Sequence, residues 1–109
     1  MKLLQTTYSD QGYPDHNNEL HHFMGEGIET TVGTVFLKKG SRIPEKGHSR
    51  HPFNEVSIIV EGHIEMVDEG NKVIGHLKKG SIVCITAGEP QAGNVLEDTR
   101  LIYVLNQLR

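Results

Sequence analysis

The chain has 109 residues, 36% of them hydrophobic and 23% charged, so it is long enough for one modest core and is not disordered by default. Eleven Lys and Arg against 14 Asp and Glu give a formal net charge of −3, which argues against nucleic acid as a partner. No apolar run approaches the roughly 20 residues that span a bilayer, and Cys84, the single cysteine, cannot form an internal disulfide, so we expect a cytoplasmic protein without a membrane partner.

The first 27 residues are the least regular part of the chain. They carry turn signals at Tyr13-Pro14 and over residues 15–18. We therefore predict an N-terminal arm over residues 1–27, which packs on the rest of the chain or on a second subunit. The remainder, residues 28–109, is predicted to form one domain.

From residue 28 onward, β-branched and aromatic residues separated by glycine turns predict a series of short strands. The predicted strands are 30–37, 55–61, 63–68, 72–77, 81–86 and 101–105. Gly62 is expected to break the second from the third, segment 81–86 is expected to be central, and a short closing helix or turn is an option for 106–109. No segment of helical length has an amphipathic stripe, so an all-β sandwich or barrel is predicted.

Histidine, glutamate and glycine are regularly spaced between residues 40 and 62. Three residues separate His51 from Glu55, and six separate Glu55 from Gly62. In an extended strand His51 and Glu55 share a face, because they are four positions apart. An inward-facing carboxylate needs a partner such as a metal or a histidine, since an unpaired buried charge is costly. The alternative is that His48 and His51 are exposed loop residues and Glu55 begins a strand at the rim.

A second spaced segment covers residues 80–94, with glycines at 80 and 88, Thr86 before the second glycine and Gln91 after it. Together the two segments resemble the two sequence motifs of the cupin family. The family's first motif contains His-x-His, but here Ser49 replaces the first histidine and His48 lies one residue further out. In the second motif Thr86 replaces a proline and Gln91 a histidine, and Asn94 lies one position early.

The resemblance covers roughly residues 31 to 105 and implies a double-stranded β-helix, or jelly-roll barrel, with an internal pocket. It implies a divalent metal, with Mn, Fe, Ni and Zn all compatible with mixed nitrogen and oxygen ligands. The implied ligands are His48, His51, Glu55 and Gln91, provided that a bulge at Gly47 brings His48 inward. Small cupins often pair through an N-terminal strand, so the resemblance also implies a homodimer.

Three residues are candidates for contacts with a small-molecule ligand. Arg50 lies between the two histidines and is a candidate to orient an anionic substrate, although loop arginines are usually solvated. Gln91 is open to three interpretations: metal ligand, substrate hydrogen bonder or turn surface. Tyr103, on the last predicted strand, is expected to lie in the core or to line the pocket.

The remaining histidines and the cysteine have plainer interpretations. His16, His21 and His22 are expected on the surface of the arm, with closure of the pocket by one of them as the alternative. His63 and His76 lie on the two strands of one predicted hairpin and are expected to face outward as a cross-strand pair. Cys84 is expected to be a small core residue.

Three functions are compatible with this sequence, and whether the chain is an enzyme stays open. The first is a metallo-cupin that acts on a small polar metabolite as an isomerase, lyase or dioxygenase. The second is a metal-free, non-catalytic module that binds a sugar, a small acid or another metabolite through Gln91, Arg50 and Glu55. The third is a metal-free sugar epimerase or isomerase that uses a histidine base.

Overall fold

The computed structural model describes all 109 residues and contains seven β-strands and no helix. The strands are β1 Asn17–Gly25, β2 Ile28–Leu37, β3 Arg42–Ile43, β4 Asn54–Val67, β5 Val73–Lys78, β6 Ile82–Ile85 and β7 Ala92–Leu108. Every pairing is antiparallel, in the order β1-β2-β7-β4-β5, with β3 against β7 and β6 against β4. The predicted all-β class is confirmed, and no helix has the length and hydrophobicity to cross a membrane.

The two longest strands, β4 and β7, form the centre of the sheet, and each of them pairs with three other strands. Their inward residues form the core with residues of β2. The buried cluster consists of Leu37, Ile59, Ile64, Val95, Leu101 and Tyr103. Side chains alternate along β4, where Ser57 and Ile59 are buried while Val56 and Ile58 are exposed, as expected for a sheet with one face on the core.

Gly62 does not break the strand, as the sequence had suggested, and β4 runs on through it. The pairing of β4 with β7 shifts register around this residue, between Ile59 and Ile64. The backbone of Gly62 has φ of 108°, a conformation that residues with a side chain rarely adopt. An irregular residue of this kind bends a strand and increases its twist, so Gly62 turns β4 around the barrel instead of ending it.

The predicted N-terminal arm contains the first strand of the sheet. Residues 17–25 form β1, which lies at the sheet edge and pairs with β2. The preceding segment is tied to the same sheet, because the Thr34 hydroxyl and the Asn18 side-chain amide both donate hydrogen bonds to the Thr7 carbonyl. Within one chain the arm therefore packs on its own barrel. Its packing on a second subunit, and the homodimer itself, stay predictions.

Three local predictions are wrong. Segment 81–86 is not central, because β6 pairs with β4 alone. Cys84 is exposed, not a core residue. Segment 81–86 is apolar on both faces because β6 extends an apolar outer face of β4, where Ile58 is 41% and Ile82 64% exposed. No closing helix or turn forms near residues 106–109, because β7 continues to Leu108, which pairs with Ile28 of β2.

Candidate ligand pocket in the barrel

A cavity of about 430 Å³ opens inside the barrel between β2, β4, β7 and the segments around residues 13–17 and 43–53. Eight of its sixteen lining residues are hydrophobic, and two of these eight are tyrosines that also carry a hydroxyl. Its polar side chains are those of Tyr13, His16, Asn17, Ser49, His51, Glu55, Ser57, Gln91 and Tyr103. An apolar wall with a few convergent polar groups is typical of small-molecule sites of this volume.

The floor of the cavity is built from facing positions of β4 and β7. Glu55 lies opposite Leu105, and Ser57 lies opposite Tyr103. The Ser57 hydroxyl donates a hydrogen bond of 2.8 Å to Glu55 Oε2, the only protein partner of that carboxylate. Glu55 is partly buried, so its charge is incompletely hydrated and incompletely paired.

Tyr103 is fixed from two sides. Its hydroxyl donates a hydrogen bond to Asn17 Oδ1, which joins the end of the chain to its beginning. Its ring lies over Gly33, its register partner on β2, where a Cβ atom would stand 2.3 Å from the hydroxyl oxygen. Gly33 was missed as a site residue, although a glycine within a β-branched strand is a signal of close approach by another group.

The phenol of Tyr103 stays protonated at neutral pH. Burial raises its pKa above the ordinary value of 10.0 and outweighs the lowering by the hydrogen bond to Asn17, and the charges of Glu19 and Glu55 raise the pKa by lesser amounts. Because its proton is directed at Asn17, the hydroxyl oxygen of Tyr103 is left as an acceptor for a ligand donor.

His16 lines the cavity, and its place was left open by the sequence. Its Nδ1 lies 3.1 Å from the Pro14 carbonyl, so Nδ1 carries the proton and donates it, and Nε2 is an acceptor. Burial lowers its pKa below 6.5, against smaller raising effects of the Pro14 hydrogen bond and the Asp15 charge. His16 is therefore a neutral hydrogen-bonding group at neutral pH.

The lowered pKa of His16 predicts a pH dependence of stability. The unfolded chain binds a proton at this histidine as pH falls below 6.5, whereas the folded chain resists it. The stabilising contribution is therefore present above that pH and is lost as pH falls through the folded pKa. We expect His16→Gln to lose less stability than the wild type between pH 7.5 and 5.0, measured by urea unfolding. Equal losses in both proteins would contradict this account of His16.

Of the six predicted site residues, four line the cavity and two do not. His51, Glu55, Gln91 and Tyr103 line it, and the His51 ring stacks on Phe53 with centroids 4.8 Å apart. The predicted metal ligands His51, Glu55 and Gln91 therefore share one pocket, as does the predicted substrate contact Tyr103.

The other two, His48 and Arg50, are directed away from it. His48 Nε2 lies 2.6 Å from the Asp68 carbonyl, and Arg50 donates to the Gly88 carbonyl at 2.9 Å and pairs with Glu69. Alternation explains this placement. The backbone of Ser49 pairs with that of Gln91 in both directions at 2.9 Å, which makes this segment extended. Residues 49 and 51 then share the inner side, and 48 and 50 the outer side.

Three of the four predicted metal ligands line the pocket, but His48 does not, so the complete predicted set is not assembled. The inward position of the first histidine belongs to Ser49, and Gly47 does not bring His48 inward. No group of three or more His, Cys, Asp or Glu side chains in the chain could hold a metal ion. A tightly held ion in a structural or catalytic site generally has three or more protein ligands. We therefore derive no chemistry through a metal in the barrel, and a metal there stays a prediction.

Comparisons with known proteins identify the fold. No protein-family profile and no curated protein matches the chain. Solved structures do match: a protein of unknown function from Rhizobium leguminosarum aligns over 100% of both chains, at 19% identity and a TM-score of 0.65. An RmlC-like cupin with a double-stranded β-helix fold from Methanocaldococcus jannaschii aligns over 99% of this chain and 90% of its own, at 13% identity and a TM-score of 0.64.

An RmlC-like cupin from Desulfovibrio desulfuricans aligns over 93% of this chain and 88% of its own, at 14% identity and a TM-score of 0.60. These likenesses define the class: the chain is an all-β protein with the double-stranded β-helix fold of the RmlC-like cupins. The cupin resemblance seen in the two sequence motifs is confirmed at the level of the fold.

Proposed function

We propose that this chain binds a small neutral or cationic metabolite in the barrel, by direct contacts and without a metal ion. The observation that carries the proposal is the charge of the lining: Glu55 is its only Asp, Glu, Lys or Arg residue. The volume of about 430 Å³ is suited to one small molecule.

The lone carboxylate selects among ligands by charge. An anionic ligand would stand beside Glu55 in a partly buried site without a compensating cation, and this repulsion is only weakly screened there. A ligand hydroxyl or ammonium group would instead donate a hydrogen bond to Glu55. The carboxylate would then have a second donor besides the Ser57 hydroxyl. Arg50, the candidate for an anionic substrate, contacts Gly88 and Glu69 outside the cavity. A polyol, a sugar or a small amine is therefore favoured over a small acid.

The remaining polar groups complement such a ligand. Tyr103 and His16 offer acceptors, because their protons are used by Asn17 and the Pro14 carbonyl. Gln91 offers both a donor and an acceptor. The mixture suits a molecule that carries several hydroxyl or amino groups on a compact carbon skeleton. Catalysis is not part of the proposal.

The proposal is tested by calorimetric titration with three probes of similar size: 1,4-diaminobutane, the polyol xylitol and the dicarboxylate succinate. We expect the amine or the polyol to bind, succinate not to bind, and EDTA to leave binding unchanged. Glu55→Gln, which keeps size and hydrogen bonding, is expected to weaken amine binding by about tenfold, since a hydrogen bond to a charged group contributes about 1.5–3 kcal/mol and one between neutral groups about 0.5–1.5 kcal/mol. Glu45→Gln, exposed and outside the cavity, makes the same change of charge and is the matched control.

Two outcomes would contradict the proposal. Succinate binding more tightly than the amine and the polyol would show that the lining charge does not control selection. Near-stoichiometric metal in protein purified without an affinity tag, lost in His51→Ala, would show that the barrel holds a metal. The first functional hypothesis, a metal-assisted isomerase, lyase or dioxygenase, would then replace this one.

A further inference from the structure

The outer surface of the barrel carries a pair of histidines that the pocket does not use. His63 lies on β4 and His76 on β5, and the sequence prediction of a cross-strand pair is borne out by their contact. His63 Nε2 lies 2.9 Å from His76 Nδ1, and the ring centroids are 5.0 Å apart with planes at 58°. His76 is exposed and His63 partly so, so an ion in solvent reaches both rings.

The separation of the two nitrogens matches that of two ligands on one metal ion. Nitrogens bound at about 2.0–2.1 Å to the same ion lie roughly 2.9–3.4 Å apart when the angle at the ion is about 90–110°. The pair of His63 and His76 is at the short end of this range, so the nitrogens need not move apart, but the rings must turn until both lone pairs converge on the ion. The backbone is held by the register of the hairpin, in which His63 faces Lys78 and Glu65 faces His76.

The charges around the pair include one that favours a cation. Glu65 is directly opposite His76 on the neighbouring strand, and Asn94 Nδ2 donates to its Oε1 at 3.2 Å, which restrains the carboxylate. Residues directly opposite on antiparallel strands have Cβ atoms about 4.5–5.5 Å apart. Lys78, opposite His63, contributes one opposing positive charge.

We propose that His63 Nε2 and His76 Nδ1 form a surface site for a transition-metal ion, completed by water. Imidazole ligands suit Zn²⁺, Ni²⁺ and Cu²⁺, and Cu²⁺ is held most tightly in a given site of this type. No third ligand of the His, Cys, Asp or Glu type joins the pair, so binding is expected to be reversible and open to exchange. This site lies on the outer face and is independent of the proposed ligand pocket.

Binding requires one proton to move within the pair. In the free protein one of the two facing nitrogens carries the hydrogen that bonds them, and the other provides the lone pair. A metal needs both lone pairs, so the donating ring must shift its proton through water to its remote nitrogen, which is Nδ1 for His63 or Nε2 for His76. This transfer leaves the number of protons on the pair unchanged, and no oxidation or reduction takes place.

The test is calorimetric titration of untagged protein with Ni²⁺ and with Cu²⁺, in a weakly coordinating buffer. We expect saturable binding of one ion, lost in His63→Ala and in His76→Ala. Both variants change solvent-accessible rings, and circular dichroism verifies that they fold. His21→Ala and His51→Ala are the controls, one on the edge strand and one in the pocket, and both are expected to bind as the wild type does. Substoichiometric Cu²⁺ should broaden the nuclear magnetic resonance signals of His63 and His76 first.

Three results would contradict the proposed metal site. The first is no saturable binding by the wild type. The second is binding retained in His63→Ala and His76→Ala, and the third is binding lost in His51→Ala instead. The last result would place the ion in the barrel and would also contradict the metal-free pocket. The first two would leave the proposed pocket function untouched, so the two proposals fail separately.

Discussion

Gly62→Ala is expected to destabilise the protein by about 3 kcal/mol, the sum of backbone strain at a positive φ and steric overlap. A Cβ at this position would stand 2.3 Å from Thr99 Oγ1, 2.5 Å from Thr99 Cα and 2.6 Å from the Asp98 carbonyl oxygen. Thr99 is fully buried, and its hydroxyl accepts from the His63 backbone N–H and donates to the Glu97 carbonyl. Displacing Thr99 therefore breaks two hydrogen bonds in the bend of β4.

Chemical unfolding of Gly62→Ala beside Gly75→Ala measures this effect. Gly75 lies in β5 and has no positive φ, and a Cβ added there would meet no atom within 4 Å, so its substitution is expected to change stability by less than about 0.5 kcal/mol. The combination Gly62→Ala with Thr99→Ala is not expected to recover stability, because two of the three close atoms belong to the backbone. Equal stabilities of the Gly62 and Gly75 variants would show that the bend tolerates a side chain.

Gly33→Ala is expected to destabilise the protein by about 1–3 kcal/mol and to abolish ligand binding in the barrel, by a different route. The atoms that a new Cβ would meet are Oη, Cζ and Cε2 of Tyr103, at 2.3, 2.4 and 2.7 Å. They all belong to one side chain, so the tyrosine must leave its position over β2. Its hydrogen bond to Asn17 is lost, and its ring no longer defines the pocket wall.

A double-mutant cycle on the free energy of unfolding tests whether Gly33→Ala acts by displacing Tyr103. Tyr103→Ala alone is expected to cost about 3–5 kcal/mol, as for other buried aromatic residues. With the ring absent, Gly33→Ala has no clash to make, so the double variant is expected to be about as stable as Tyr103→Ala. Additive losses would mean that Gly33 matters for a reason other than Tyr103.

Gly33 and Gly62 show what a local sequence pattern can predict and what it cannot. Both interrupt strands rich in β-branched residues, so the sequence marks them as unusual, and Gly62 was interpreted as a break. Whether a glycine ends a strand, bends it or makes room for a ring depends on what lies across from it. For Gly33 that neighbour is Tyr103, on a strand 70 residues later in the chain.

The candidate site was predictable where it depends on alternation. His51 and Glu55 share a side because they are four positions apart, and the structure places both in the cavity. The same alternation sends His48 and Arg50 outward once the segment is extended. An inward His48 had required a bulge at Gly47, whereas the backbone bonds between Ser49 and Gln91 hold residue 49 on the inner side instead.

The sequence by itself determined the all-β class and the cupin fold, because strand periodicity, glycine turns and motif spacing are local properties. It also determined the net charge and the histidine pair of one hairpin, whose strands are adjacent in the chain. Only the tertiary structure decided that His16 and Asn17 join Tyr103 in the pocket and that β6 lies at an edge with Cys84 exposed. These features depend on which distant segments meet, and pairings between distant segments are set by packing of the whole barrel, which no short stretch of sequence encodes.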